Sequence, residues 1–367
     1  MLESGKINSQ QAIWLMITLV IATAGIYVPT IAVNAARQDA WLSIIIATLV
    51  ALFIAVLIVS LTLRFPGKTL FEIPELILGK MTGKIIAFLF VLWFIHIEIL
   101  VFSEFGNFML STVLPGTPML VNHIVAAILI AYITRNGLEV ISRFNGLLLP
   151  LFVLSVTLLV TLAFKEISLT RLLPVFDCGL ADIMKGSAAP VARLGEIIVL
   201  AALIPYLNKP GQALRVAILA TLVNGFIMII NVLYPLAIFG PDLTASFLYP
   251  IYTSVRIISV ANFLERLEAI PVVIWITAGI IKVSILRYVT VLGAAQCLGL
   301  KDYRPLVLPV GAVVVAGSLL MYQDVAVTTT FTTEVWPFYA LTFEAGIPLL
   351  LLVVALARGL GGKNKGF

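Results

Sequence analysis

Residues 11–34 read QAIWLMITLVIATAGIYVPTIAVN, twenty-four residues without a charge. At 1.5 Å per helical residue the stretch is about 36 Å long, enough to cross a hydrocarbon core about 30 Å thick. In its middle stand Thr23-Ala24-Gly25-Ile26, with Pro29 after them. Small residues and a proline in an apolar run predict a spanning helix with an interior break. An unwound backbone in lipid needs partners for its freed N–H groups. A carboxylate of a bound ligand can supply them, helped by the positive N-terminal end of the following half-helix. The main chain of Thr23, Ala24, Gly25 and Ile26 is therefore a candidate anion-receiving site.

The rest of the chain has the same character. Of 367 residues 61% are hydrophobic and 11% charged, with 23 Lys+Arg against 18 Asp+Glu. Soluble domains carry about 25% charged residues. A soluble enzyme, a disordered chain and a nucleic-acid binder are excluded, because the net charge of +5 lies scattered between apolar runs. No cleavable signal sequence is expected, since the first apolar stretch is too long for one. Cys178 and Cys297 fall on opposite faces of the predicted topology and lack metal-ligand spacing. No cofactor and no metal are expected.

Ten spans are predicted, within about three residues, at 11–34, 40–63, 84–112, 121–134, 144–164, 187–207, 213–238, 271–296, 304–322 and 335–357. With the N-terminus in the cytoplasm, 15 Lys and Arg fall on the inner side, Arg287 among them, and 6 on the outer side, while Arg193 and Lys282 fall inside spans. That asymmetry sets the orientation, and an even span count puts both termini inside. The organisation expected is a tail at 1–10, five helices over 11–164, an external loop at 165–186, five more helices over 187–357, and a basic tail at 358–367. The long 2–3 connection is cytoplasmic and the long 7–8 connection external, as an inverted repeat requires. The first helix of each half carries a break, at Thr23–Ile26 in one and at Pro190–Gly195 in the other. Residues Tyr252 to Leu267 read as an amphipathic interfacial helix over the outer vestibule.

Charges inside spans mark the remaining candidates, since an unpaired one costs about 2.5–3.5 kcal/mol or more at the bilayer centre. Glu196 stands near mid-span beside Gly195, and Lys282 about 16 Å into helix eight. Each could compensate the other, or Glu196 could bind a ligand ammonium. Arg193 is expected to snorkel outward. On helix three, His96 and Glu98 lie near the midplane on different faces, and either could relay a proton. Glu104 is expected near the outer loops, and Glu344 to hydrogen-bond a neighbouring helix. The expected ligand wall is Thr23, Ala24, Gly25 and Ile26 with His96, Leu100, Leu194, Gly195, Glu196 and Ala278. Lys282, Glu98 and Glu196 are the expected ion or coupling groups.

Several short pieces in order carry a family resemblance: Lys6-Ile7, Gln38-Asp39-Ala40-Trp41, Phe65-Pro66 with Thr69-Leu70, Gly79-Lys80 with Gly83-Lys84, Leu114-Pro115 with Thr117-Pro118, Gly137-Leu138-Glu139 with Arg143, and Glu265-Arg266-Leu267-Glu268 before Trp275. In this order and spacing the chain resembles the B subunits of spore germination nutrient receptors, the endospore spore permease family. That resemblance implies membership of the amino acid–polyamine–organocation superfamily and an all-α, LeuT-like five-plus-five inverted repeat with helices one and six broken. It implies a germinant-binding subunit of the spore inner membrane, with a small nutrient, often an amino acid, as ligand and A and C subunits as partners. Sodium-coupled relatives of the fold hold a sodium between helices one and eight, and Lys282 is expected to stand in for it. A proton-coupled amino-acid transporter is the alternative function. An enzyme is not expected, because no nucleophile, base and orienting group stand together.

Overall fold

The computed structural model describes residues 5–257, 269–322 and 324–361. All of the regular structure named below is helical. The helices are α1 (Ser9–Ala36), α2 (Ala40–Leu63), α3 (Ile73–Leu78), α4 (Lys80–Phe108), α5 (Met119–Arg135), α6 (Leu138–Leu162), α7 (Leu180–Gly195), α8 (Val199–Leu203), α9 (Ala213–Ser246), α10 (Pro250–Arg256), α11 (Ala269–Leu298), α12 (Val307–Met321), α13 (Val325–Thr330), α14 (Trp336–Leu341) and α15 (Ile347–Ala357). Eight helical stretches are long and apolar enough to cross a membrane. The first, Ser9–Leu63, contains both α1 and α2, and the apolar α5 is shorter than the rest. The protein is an all-α, multi-pass membrane protein.

Local signals explain the helix starts. Asn8 caps α1 and exchanges side-chain and backbone hydrogen bonds with Gln11 in a capping box. Asp324 caps α13 through the Val327 N–H, so the last span begins at Val325 rather than near residue 335. Two π-helical turns, Phe331–Val335 and Thr342–Gly346, join α13, α14 and α15 into that one span.

The expected break in helix one is not there. α1 is helical throughout, Pro29 included. Gly25 instead lets Trp275 and Ile251 approach, since a Cβ on Gly25 would come within 3.1 and 3.3 Å of them. The small residues permit close packing rather than unwinding. Helix six is interrupted, but one residue later than Pro190–Gly195. α7 carries Pro190 inside it and gives way to a 3-10 turn at Glu196–Ile198 before α8.

α1 occupies the middle of the bundle, packed on α9 most extensively and also on α7, α11 and α6. The contact pattern comes in matched sets. α1 packs on α9 as α7 packs on α2; α4 packs on α12 as α11 packs on α5; α1 packs on α6 as α7 packs on α14. At the bundle end where α1 begins, Ile7 is fully buried and pairs with Leu207: the Ile7 N–H donates to Tyr206 O at 3.0 Å, and the Asn208 N–H to Ile7 O at 2.9 Å.

Asp39 closes the tight turn between α1 and α2. Its buried carboxylate accepts the backbone N–H groups of Phe176, Asp177 and Cys178 at 2.8, 2.8 and 3.0 Å. The segment between α6 and α7 is thereby fastened to the turn, and Gln38 adds a bond to Pro174 O. This is the physical role of the Gln38-Asp39 pair. The Cys178 thiol is pushed up by burial first, then by the carboxylates of Asp39, Asp177 and Asp182. Of the expected interfacial helix Tyr252–Leu267, residues 252–257 lie among the described ones, largely within α10; 258–268, which include Glu265-Arg266-Leu267-Glu268, lie outside them, as does the tail from residue 362.

Gly83 has a similarly specific reason. α4 crosses α3 so closely that a Cβ on Gly83 would overlap the backbone of Pro74 and Glu75. Backbone cannot move aside as a side-chain tip can. Gly83→Ala is therefore expected to destabilise the protein by about 1–3 kcal/mol, the range for overpacking, whereas Gly116→Ala, with open space around it, changes little. Melting curves of the two purified variants check this, and equal melting temperatures would sink it.

Candidate functional site

Four helices converge on one buried cluster of charges. α11 brings Lys282, α1 brings Thr23, the 3-10 turn after α7 brings Glu196, α7 brings Arg193 and α4 brings Glu104. Lys282 Nζ donates to Glu196 Oε2 at 2.6 Å and to Thr23 Oγ1 at 2.7 Å. Arg193 Nη2 donates to Glu104 Oε1, and its Nη1 stands 3.5 Å from Glu196 Oε1. No side chain in the cluster is more than 2% exposed. A fixed ion chain thus runs Glu104–Arg193–Glu196–Lys282–Thr23 and ties the helices together. Glu104 Oε2 and Glu196 Oε1 each keep an oxygen without a hydrogen bond among the described residues.

Lys282 pairs with Glu196, one of the two roles considered for that carboxylate, and also reaches helix one at Thr23. Arg193 does not snorkel; it is buried between two carboxylates. Glu104 does not serve the loops; it is the first member of the chain. Glu98, expected as a coupling group beside Lys282, belongs elsewhere. Its carboxylate receives Arg287 Nε at 2.5 Å and Thr290 Oγ1 at 2.8 Å. Arg287 is accordingly no loop cation: it is fully buried within α11 and also donates to Val307 O at 3.3 Å. His96 points away from the cluster, with its ring between the hydroxyls of Tyr339 and Tyr322 at 3.2 and 2.8 Å. Glu344 makes no hydrogen bond among the described residues and lies against Gly195.

The remaining predicted wall residues are packed. Ala24, Leu100 and Leu194 are buried in the core, and Ile26 joins Tyr27, Phe108, Tyr249, Tyr252 and Trp275 in an aromatic layer directly beyond the ion chain. Phe108 meets Tyr249, Tyr252 and Trp275 edge-on at 5.1–5.6 Å, the preferred geometry for rings. Ala278 lines a cavity of about 120 Å³ between α1, α6 and α11. There Thr18 Oγ1 donates to Asn145 Oδ1 at 2.7 Å, and Asn145 Nδ2 has no acceptor among the described residues. In the reading of the sequence Glu104 and Arg287 have other places, and Asn145 is not named. Glu104 had one available signal, a carboxylate in the apolar run that follows Glu98 on α4.

A family profile described as "Spore germination protein" matches residues 6–325. The chain is similar to spore germination protein KB of Bacillus subtilis (strain 168), 24% identical over 360 residues, covering 97% of this chain and 96% of that one. It is 26% identical over 362 residues to putative spore germination protein YfkT of the same organism, covering 98% and 99%. Spore germination protein XB of Bacillus anthracis is 23% identical over 251 residues, covering 68% of this chain and 70% of its own.

Proposed function

The chain belongs to the spore germination protein family, and from that premise we propose that it is a germinant-sensing subunit. It binds a small nutrient, an amino acid by preference, near mid-bilayer between α1 and the kinked helix six. It signals to A and C receptor subunits in the spore inner membrane, with both termini on the core side. The matched contact sets support a five-plus-five inverted repeat, in which α1, α2, α4, α5 and α6 correspond to α7, α9, α11, α12 and α14. Repeat boundaries near 11–164 and 187–357 fit that correspondence.

The observation that carries the reading is the ion chain itself. It presents two cations and two carboxylates in alternation, each carboxylate with a spare oxygen. A zwitterionic ligand can exchange into such a chain, its ammonium on Glu196 or Glu104 and its carboxylate on Arg193 or Lys282. Ligand entry must part the aromatic layer, so occupancy favours a second packing of the helices. Lys282, bonded across from α11 to α1, takes the place a coupling cation would hold.

A ligand that binds only the folded state raises the melting temperature by mass action. Purified chain scanned against amino acids, sugars and nucleosides is expected to shift with one or a few small amino acids, with or without sodium. A shift that needs sodium, or none with any amino acid, overturns the reading. Ligand-dependent flux in proteoliposomes would favour the proton-coupled transporter instead.

A further inference from the structure

Glu344 sits in the π-helical turn Thr342–Gly346, a helical defect that commonly accompanies functional positions. Its side chain is fully buried, and no group among the described residues hydrogen-bonds either carboxyl oxygen. Gly195 faces it so closely that a Cβ there would overlap the carboxyl. Within electrostatic reach are Arg193 and Glu196 from helix six and Lys282 from α11. The turn also packs on α2, α14 and α15. α2 and α15 carry no titratable side chain. α14 carries Tyr339, whose hydroxyl is engaged by His96. Glu104 is paired with Arg193.

The charges of this region do not balance. Arg193 and Lys282 are matched by Glu104 and Glu196. Glu344 is a third carboxyl with no cation of its own. A bare carboxylate, desolvated and without a donor, is among the least tolerable groups in a membrane interior. Among the described residues no group of three or more His, Cys, Asp or Glu is placed to hold a metal ion. The carboxyl also packs directly on Gly195, which leaves no space for an ion at that contact. A proton is the one counter-charge that needs no space.

We propose that Glu344 is a proton-binding site. Its carboxyl is neutral while it rests on Gly195. Release of the proton sets a third carboxylate against Glu196 at the start of the 3-10 turn, which drives the last span and helix six apart at the Gly195 contact. Proton occupancy thereby holds the kink of helix six closed. This assignment concerns the chain's own carboxyl and stands whether the chain senses or transports.

The test is infrared spectroscopy of the purified protein in H2O and D2O, reading the C=O stretch of protonated carboxyl groups, which lies apart from the amide bands. At neutral pH the wild type is expected to show this band with a D2O shift. Glu344→Gln removes it, and Glu139→Gln, a change at a half-exposed surface carboxylate, leaves it. No such band in the wild type, or a band that survives Glu344→Gln, overturns the proposal. If Glu344→Gln does not accumulate, Glu344→Asp keeps the acid and must move the band in frequency; an unmoved band overturns the proposal equally.

Discussion

Arg193→Met is expected to destabilise the protein by about 3–5 kcal/mol, the usual loss when one partner of a buried ion pair is removed. At roughly 2 °C per kcal/mol for a chain of this size, the melting temperature falls by about 6–10 °C. The reason is what stays behind. Glu104 loses its only salt-bridge partner among the described residues, and Glu196 loses the farther of its two cations, the one on its own helix. Methionine replaces the volume and apolar stem of the arginine, so a cavity is not the cause. Adding Glu104→Gln in the same chain removes the orphaned charge and is expected to restore at least half of the loss. If the double variant melts no higher than Arg193→Met, the effect is one of packing and the ion chain is not what binds α4 to α7.

Lys282→Met is the second large change. It strips Glu196 of the 2.6 Å partner and leaves it only Arg193 at 3.5 Å. About 3 kcal/mol is expected to be lost, and Glu196→Gln in the same chain is expected to recover most of it. The variant also carries a sharper test. If the ammonium occupies the position of a coupling cation between α1 and α11, removing it opens a site that sodium can fill with Thr23 and Glu196. High sodium is then expected to raise the melting temperature of Lys282→Met and to leave that of the wild type unchanged, by the mass-action effect of any ligand of the folded state. Equal melting in sodium and in choline would end the stand-in reading while leaving the ion pair intact.

Much of this was legible because a bilayer simplifies the problem. Depth along a span is a matter of counting, so Glu196 and Lys282 could both be placed well inside their spans, which made their pairing one of the two roles open to Glu196. Rotation about a helix axis is harder. His96 and Glu98 are two residues apart and point to opposite sides, and hydropathy does not say which side meets which neighbour. Glu98 was therefore expected as a coupling group with no partner named, and Arg287 was counted among the inner-side cations although its carboxylate, Glu98, lies across from it on α4. The break assigned to Thr23–Ile26 failed for a related reason. Small residues weaken a helix in isolation, yet they also let Trp275 come close to Gly25, and in a packed bundle that second property prevails. Nothing in the sequence marks Glu344 as unpartnered, since that depends on its contact with Gly195.

The short pairing of Ile7 with Leu207 limits how helix six can move. Its last turn is hydrogen-bonded, through Tyr206 O and the Asn208 N–H, to the residue that precedes the cap of α1. Each such bond contributes about 0.5–1.5 kcal/mol net, and withdrawing Ile7 from full burial adds its apolar surface to the loss. Helix six and the start of α1 are in effect hinged on a common pin. A bend at Glu196–Ile198 can swing α7 while α8 stays seated, so the flexible half and the anchored half of this helix are set apart by the turn that carries the ion chain.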